Sequence, residues 1–366
     1  MQLQTVVQAL NEIAPTRNAE AWDNVGLLAG DPGQDVSRAM LCIDYTDDVA
    51  AEAAGAECDL IIAYHPPLFQ AVKRLTAGSV VFDAIRRGLA IYSPHTALDV
   101  ADGGTNDMLA DAIGIGTGAE ARSPLRLIEP KAHQYKLVTF VPEKDAQRVA
   151  DALFNAGAGR IGNYSRCSFQ SSGTGTFYGE PGANPTVGQA GQLERAAEVK
   201  VETVMPIARM SEVLVALRKA HPYEEPAFDL VQLAAPPEKL GQGRIGALPP
   251  TPREQVIERI KRELELDQVL VAGPTDGTIT RAACCAGACG DMLDDAIGQK
   301  ADLYLTGEMR HHDAIKAARA GLTVVCTLHS NSERAVLKRL SRRLSESLPS
   351  LPVHLSQTDR DPFDIR

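Results

Sequence analysis

The chain has 366 residues, 44% of them hydrophobic and 23% charged, which is ample material for two or three domains with their own cores. Its formal net charge of -10 argues against a dedicated nucleic-acid binder, because neutralising phosphates needs a basic face. No stretch approaches the ~18 uninterrupted apolar residues of a membrane span, and seven irregularly spaced cysteines without a CxxC pair fit reduced thiols in a cytoplasmic protein rather than a thiolate zinc site.

The N-terminal run from Met1 to Ile13 reads as an amphipathic helix without the basic start and long apolar core of a signal peptide. Three short apolar runs follow, at Ala39–Asp44, Leu60–Ala63 and Ala90–Ser93, alternating with helical stretches. That alternation predicts βαβ units on a parallel sheet, and residues 1–125 are read as one α/β lobe. Between about 127 and 240 the rhythm changes. A strand at Tyr135–Val141 leads to a helix from Pro142 to Gly157, a hairpin of Tyr164–Gln170 with Gly175–Tyr178, a strand at Val199–Pro206, a helix at Met210–Ala220 and a strand at Phe228–Leu233. The order βαββαβ is the ferredoxin-like pattern. Prolines at 124, 130, 236, 237, 249 and 250 flank it, as suits a domain inserted on two linkers; one large α/β unit is the plainer alternative. Residues 250–366 return to the first theme, with strands at Ile279–Cys285, Asp302–Leu305 and Thr323–Leu328 among helices at Asp291–Ile297, His312–Ala320 and Asn331–Leu344. The expected architecture is therefore two α/β lobes with largely parallel sheets and an inserted ferredoxin-like domain.

Chemistry concentrates where buried strands end. His329 and Glu333 stand four apart as a strand gives way to a helix, so both face one side of the opening turn and make half of a metal site. His65 follows Leu60–Ala63, and Pro66-Pro67 forces the chain out of the strand there; His95 and Asp99 follow the third run. Ligands of open parallel sheets gather at such carboxyl ends. Any one of these histidines alone would be read as a core or turn residue. Three strand ends each offering a ligand favour a centre of histidine and carboxylate, the mixture that suits zinc, manganese or iron. Glu308, His311 and His312 follow a fourth strand and are read as a supporting shell and helix start rather than ligands. Trp22–Leu27 either lines a pocket or anchors the N-terminal helix. Gly103–Asp107 either offers amides to an anion or is a capped turn. Gly241–Gly246 matches GxGxxG but lacks the strand-to-helix setting of a dinucleotide site, and is read as a loop rejoining the domains. His221–Glu225 is read as a turn between helix and strand.

The stretches Trp22–Leu27, Tyr64–Phe69, His95–Asp99, Gly104–Asp107, Thr306–Met309 with His311-His312, and His329–Glu333 resemble the GTP cyclohydrolase 1 type 2 homolog family, the Nif-three-like dinuclear-metal hexameric proteins. The middle segment, with His221–Pro226, looks like the extra domain of its longer members, similar to the small trimeric PII and copper-tolerance folds. The resemblance implies two divalent ions per chain, carries the ligand role onto His65, Asp99, His329 and Glu333, and places His95 close by. It also implies a toroidal homohexamer with sites facing an internal cavity. One departure stands out. Many members have a His-His pair where this chain has Tyr64-His65. A phenol, with an ordinary pKa of about 10, is a poor ligand unless ionised, so one ion position is expected to be weakened, altered or empty. The function these residues suggest is hydrolysis of a nucleotide-like or phosphorylated small molecule by metal-bound hydroxide, with Glu333 central and His95, His312 or Tyr64 moving a proton. The alternative is a metal-binding regulatory or scaffold protein without turnover.

Overall fold

The computed structural model describes residues 1–118, 121–128, 134–234 and 240–363. The chain divides into two compact units: Met1–Ile128 with Lys239–Arg366, and Glu129–Glu238.

The first unit holds two main sheets, each covered by helices on both faces. In one, the strands Gly26–Ala29, Ala90–Ser93, Leu60–Ala63, Ala39–Cys42 and Val353–Leu355 lie side by side in that order. All its pairings are parallel except that of Gly26–Ala29, which runs against Ala90–Ser93. The unbroken apolar runs follow from this double cover. Side chains alternate, so Leu60 and Ile62 meet Leu3, Leu10, Val336 and Leu340 on one face, while Ile61 and Ala63 meet Val49, Ala53 and Val81 on the other. Leu60, Ile61 and Ile62 are fully buried, and each contributes about 1.5–3 kcal/mol of apolar burial. The Asp47–Gly55 helix behind them starts on a Thr46 hydroxyl that accepts from the Val49 amide, with Asp47 and Asp48 in the first turn.

The second sheet orders Leu270–Ala272, Thr323–Cys326, Leu303–Thr306, Thr278–Cys285, Arg244–Pro252 and Arg122–Ser123. Here the expectation of a largely parallel sheet fails. Only the three central strands pair in parallel; the outer pairings are antiparallel. The Arg244–Pro252 strand accounts for most of the difference, and it includes residues read from the sequence as a rejoining loop. Its glycines and prolines hid it, because they are rare inside strands.

The two outer segments of sequence do not correspond one-to-one with the two sheets. The His329–Ser347 helix packs Val336, Leu337, Leu340 and Leu344 on the first sheet, and Val353–Leu355 adds a strand to that sheet's edge. In exchange, the Thr105–Ile113 helix packs Leu109, Ala110 and Ile113 on the second sheet, and ends at Gly114 in the left-handed conformation. A buried ion pair joins these pieces. Arg244 Nε donates to Asp107 Oδ1 at 2.7 Å, and its Nη1 donates to the carbonyls of Gly241 and Gly243.

The second unit, taken by itself, runs strand, helix, strand, strand, helix, strand. Its sheet order is Phe228–Gln232, Gln134–Pro142, Leu193–Pro206, Ser168–Tyr178, all antiparallel. The hairpin expected within 164–178 is instead one continuous strand, Ser168–Tyr178, paired along its whole length with Leu193–Pro206. Ser171–Gly175 looked like a turn by composition, but an extended backbone accommodates glycine, and partner hydrogen bonds decided the matter. His221 is buried and bonds the Phe140 carbonyl at 2.9 Å, a core role. No helix of the described residues is long and apolar enough to cross a membrane.

Candidate metal centre

Three strand exits of the first unit converge. His65 leaves Leu60–Ala63, Gly287 follows Thr278–Cys285, and His329 opens the helix after Thr323–Cys326. His65, His329 and Glu333 each offer one ligand atom, and these atoms lie within 4.8 Å of one another. His65 Nε2 stands 3.1 Å from Glu333 Oε2, and His329 Nε2 stands 3.5 Å from Glu333 Oε1. The spacing of four does what helix geometry requires, laying His329 and Glu333 on one face of the first turn.

Each ring is held from behind by a carboxylate. Asp44 Oδ1 takes His65 Nδ1 at 2.9 Å, and Glu308 Oε1 takes His329 Nδ1 at 2.8 Å. Asp23 Oδ1 likewise takes His95 Nδ1 at 2.8 Å. This is how ligating imidazoles are normally oriented, with one nitrogen fixed and Nε2 turned inward. Glu308 thus plays the supporting part expected of it. Asp44 and Asp23 went unread in the sequence; each follows or faces a strand exit, but an isolated aspartate carries no signal of which histidine it will meet.

The electrostatics are those of a site with more negative charge than its own residues neutralise. Burial disfavours a charged His65 ring, yet the hydrogen bond to Asp44 and the close Glu333 and Asp44 carboxylates outweigh it and raise its pKa to about 10. The His65 bond is the main influence holding Asp44 below the usual carboxylate range. Glu333 is 3% exposed, and its Oε2 and the His65 Nε2 are buried without a hydrogen-bond partner, because their 3.1 Å approach is poorly directed. Orphaned groups of this kind are costly unless something binds them. The backbone also leaves room. Gly287, at φ +73°, lies where a Cβ would come 3.2 Å from Glu333 Oε1 and 3.5 Å from His329 Nε2. A buried carboxylate and two inward imidazole nitrogens around a glycine cradle fit a divalent cation.

The remaining candidates surround this group without joining it. Asp99 accepts a hydrogen bond from the Tyr64 hydroxyl, and that hydroxyl also lies 3.1 Å from Thr105 Oγ1. Burial pushes Asp99 up to about 6 and pushes the Tyr64 phenol well above its ordinary value, where the nearby Asp99 charge adds to the effect. His95 packs its ring 5.4 Å from that of His65, 5.7 Å from Tyr64 and 6.1 Å from Trp22. Its φ of +25° and the +71° of Leu328 just before His329 are conformations that side-chain-bearing residues seldom adopt, and both flank the site. His312 is not drawn in: it is exposed at the start of the His311–Arg319 helix, its ring 5.4 Å from that of His311. In Gly103–Asp107 the two glycine amides are already engaged, that of Gly104 by the Ala101 carbonyl. Gly103 donates to Asp107 Oδ2, and a Cβ on Gly104 would strike the Leu98 carbonyl. Asn106 instead ties the Asp99 carbonyl to the Ala286 amide, linking two parts of the site. Beside Glu308 opens a cavity of about 720 Å³, lined by Asp291, Asp294, Arg310 and Lys316 among others.

Residues 1–362 match the family model Duf34/NIF3 (NGG1p interacting factor 3). Proteins described as GTP cyclohydrolase 1 type 2 homolog are similar along almost their entire length. The one from Halalkalibacterium halodurans is 35% identical, covering 98% of each chain, and the one from Mycobacterium tuberculosis is 36% identical, covering 100% of this chain and 97% of its own. Among solved structures, a Bacillus cereus protein related to NIF3 aligns at a TM-score of 0.68 with 33% identity, and a Staphylococcus aureus protein at 0.79 with 26% identity, each over 100% of this chain and 99% of the other. With strand-end histidines and their carboxylates arranged as described, and with likeness running the full length of the chain, this protein belongs to the Duf34/NIF3 family.

Proposed function

We propose that the protein is a divalent-metal-dependent hydrolase acting on a nucleotide-like or phosphorylated small molecule. The observation that carries this reading is the buried Glu333 carboxylate facing the inward nitrogens of two carboxylate-oriented histidines. His65, His329 and Glu333 would hold the ion. A divalent ion so held supplies Lewis acidity and acidifies a water at neutral pH. The chain's own residues supply the rest. Asp44 and Glu308 fix the tautomers of the two ligand rings. His95, itself oriented by Asp23, has its ring 5.4 Å from that of His65 and would take or give a proton at the substrate. Trp22 and Phe69, with ring centroids 5.9 Å apart, form an apolar wall next to His95 that suits a flat heterocycle. The relatives' description as GTP cyclohydrolase homologs supports a nucleotide-like substrate.

The same proposal includes a toroidal homohexamer, on the strength of the family resemblance, and a cytoplasmic setting, which fits cysteines that are all free. It reads the Glu129–Glu238 unit as a ferredoxin-like insert, supported by its βαββαβ order and four-stranded antiparallel sheet. The test is a screen of metal-loaded protein against nucleotides, phosphoesters and small cyclic amides. Turnover that disappears in Glu333→Ala supports the hydrolase. Ion binding without turnover on any class refutes it in favour of a regulatory or scaffold role.

A further inference from the structure

We infer that each chain is built for one divalent ion, and that the Tyr64–Asp99 hydrogen bond fills the place beside Glu333 where a second would need its ligands. This rests on the reading of His65, His329 and Glu333 as an ion site. Among the described residues, those three are the only group of three or more histidine, cysteine or carboxylate side chains whose ligand atoms cluster tightly. Glu333 has a second acidic neighbour in Asp99, so an additional ion next to the first would have to draw on Asp99 and on whatever side chain faces it. That side chain is Tyr64. It is fully buried against the His65 and His95 rings at 5.4 and 5.7 Å, and its hydroxyl is engaged by Asp99 and Thr105. A hydroxyl that donates to a carboxylate keeps its proton. It also engages Asp99 Oδ1, so the phenol and that carboxylate oxygen, two potential ligands, are turned toward each other. Thr105 is anchored in the first turn of its helix, and Asn106 next to it holds the Asp99 backbone carbonyl at 3.0 Å, which fixes the main chain on the acid's side of the pair. Two charged groups close together, Asp99 and Glu333, would ordinarily invite a cation between them; the phenol instead meets that need with a single shared proton.

The arrangement makes a distinct prediction about composition, separate from any turnover. Replacing the phenol by an imidazole puts a neutral nitrogen ligand against Asp99 and removes the donor that occupies it. The test is metal content per chain, measured by elemental analysis after loading with zinc or manganese and removal of free ion, on the wild type, Tyr64→Phe and Tyr64→His. Calorimetric titration with the same ion gives an independent count. The expected result is one ion for the wild type, one for Tyr64→Phe, and two for Tyr64→His. Two ions in the wild type would overturn this inference while leaving the ion site itself standing. One ion in a folded Tyr64→His protein would overturn it as well, since the imidazole would then have changed nothing. No bound ion in the wild type would remove the ion site on which the inference rests. Because the wild-type count alone is decisive, the test survives even if a variant fails to fold.

Discussion

Removing the Asp44 carboxylate isolates how much of the ion affinity comes from outside the ligands. Asp44 accepts from His65 Nδ1 at 2.9 Å, and that is its side chain's one hydrogen bond among the described residues, so Asp44→Ala deletes a support and little else. A hydrogen bond to a charged group contributes about 1.5–3 kcal/mol, and losing such a support lowers ion affinity by about 10–100-fold. The Asp44 side chain is 42% exposed and that of His65 23%, so water takes over part of the role and places the effect at about tenfold. Glu308 and His329 are more open, at 50% and 39%, and Glu308→Ala is expected to weaken binding only a few-fold. The Asp23 side chain has no exposure at all, and its loss would destabilise the fold through His95 and Thr96. It should nonetheless leave ion affinity within about twofold, because His95 is outside the tight group. Competition of zinc against a chelating dye, run on all three variants, gives the order directly. If Asp44→Ala binds as the wild type does, or if Asp23→Ala shows the largest loss, the idea that these carboxylates orient a His65–His329–Glu333 ion site is wrong.

Two further outcomes follow from other parts of the chain. Gly287→Ala places a methyl against Glu333 and His329 at a positive φ, whereas Gly321→Ala, at φ +76°, meets nothing within 4 Å. Both should lose about 1–2 kcal/mol in chemical denaturation from backbone strain, but only the first should bind zinc more weakly; equal affinities in calorimetry would show that the glycine cradle is irrelevant to the site. The second outcome concerns acid. Burial works against an ionised Glu52, but donors from Ser356, Gln357 and Thr358 hold its pKa down to about 2. A depressed carboxylate stabilises the fold above its unfolded value of about 4.3 and loses that contribution as pH falls toward its folded one. The stability gap between wild type and Glu52→Gln, followed by denaturation at a series of pH values, should therefore be constant near neutrality and close between about pH 4.3 and pH 2; a gap that does not change with pH would refute the assignment.

The sequence alone was enough for the strand exits and for the placing of His329 and Glu333 on one helix face. Leu60–Ala63 is apolar at every position, and Ala90–Ser93 at all but Ser93, because both faces of a strand are covered, and that pattern needs no partner to be recognised. His329 and Glu333 were legible together because a helix fixes the relation between positions four apart. The tertiary structure decided what depends on chain segments distant in sequence. It brought His65 to Glu333 across 268 positions of chain while leaving Asp99 outside the tight group, bound to Tyr64. It also supplied Asp44, Asp23 and Gly287, sent the His329–Ser347 helix to the first sheet and the Thr105–Ile113 helix to the second, and made the second sheet mixed. The division has a physical cause: periodicity and apolar runs record how each element meets its surroundings as a class, whereas the identity of a hydrogen-bond partner is set only when the packed core holds two backbones at one distance and angle.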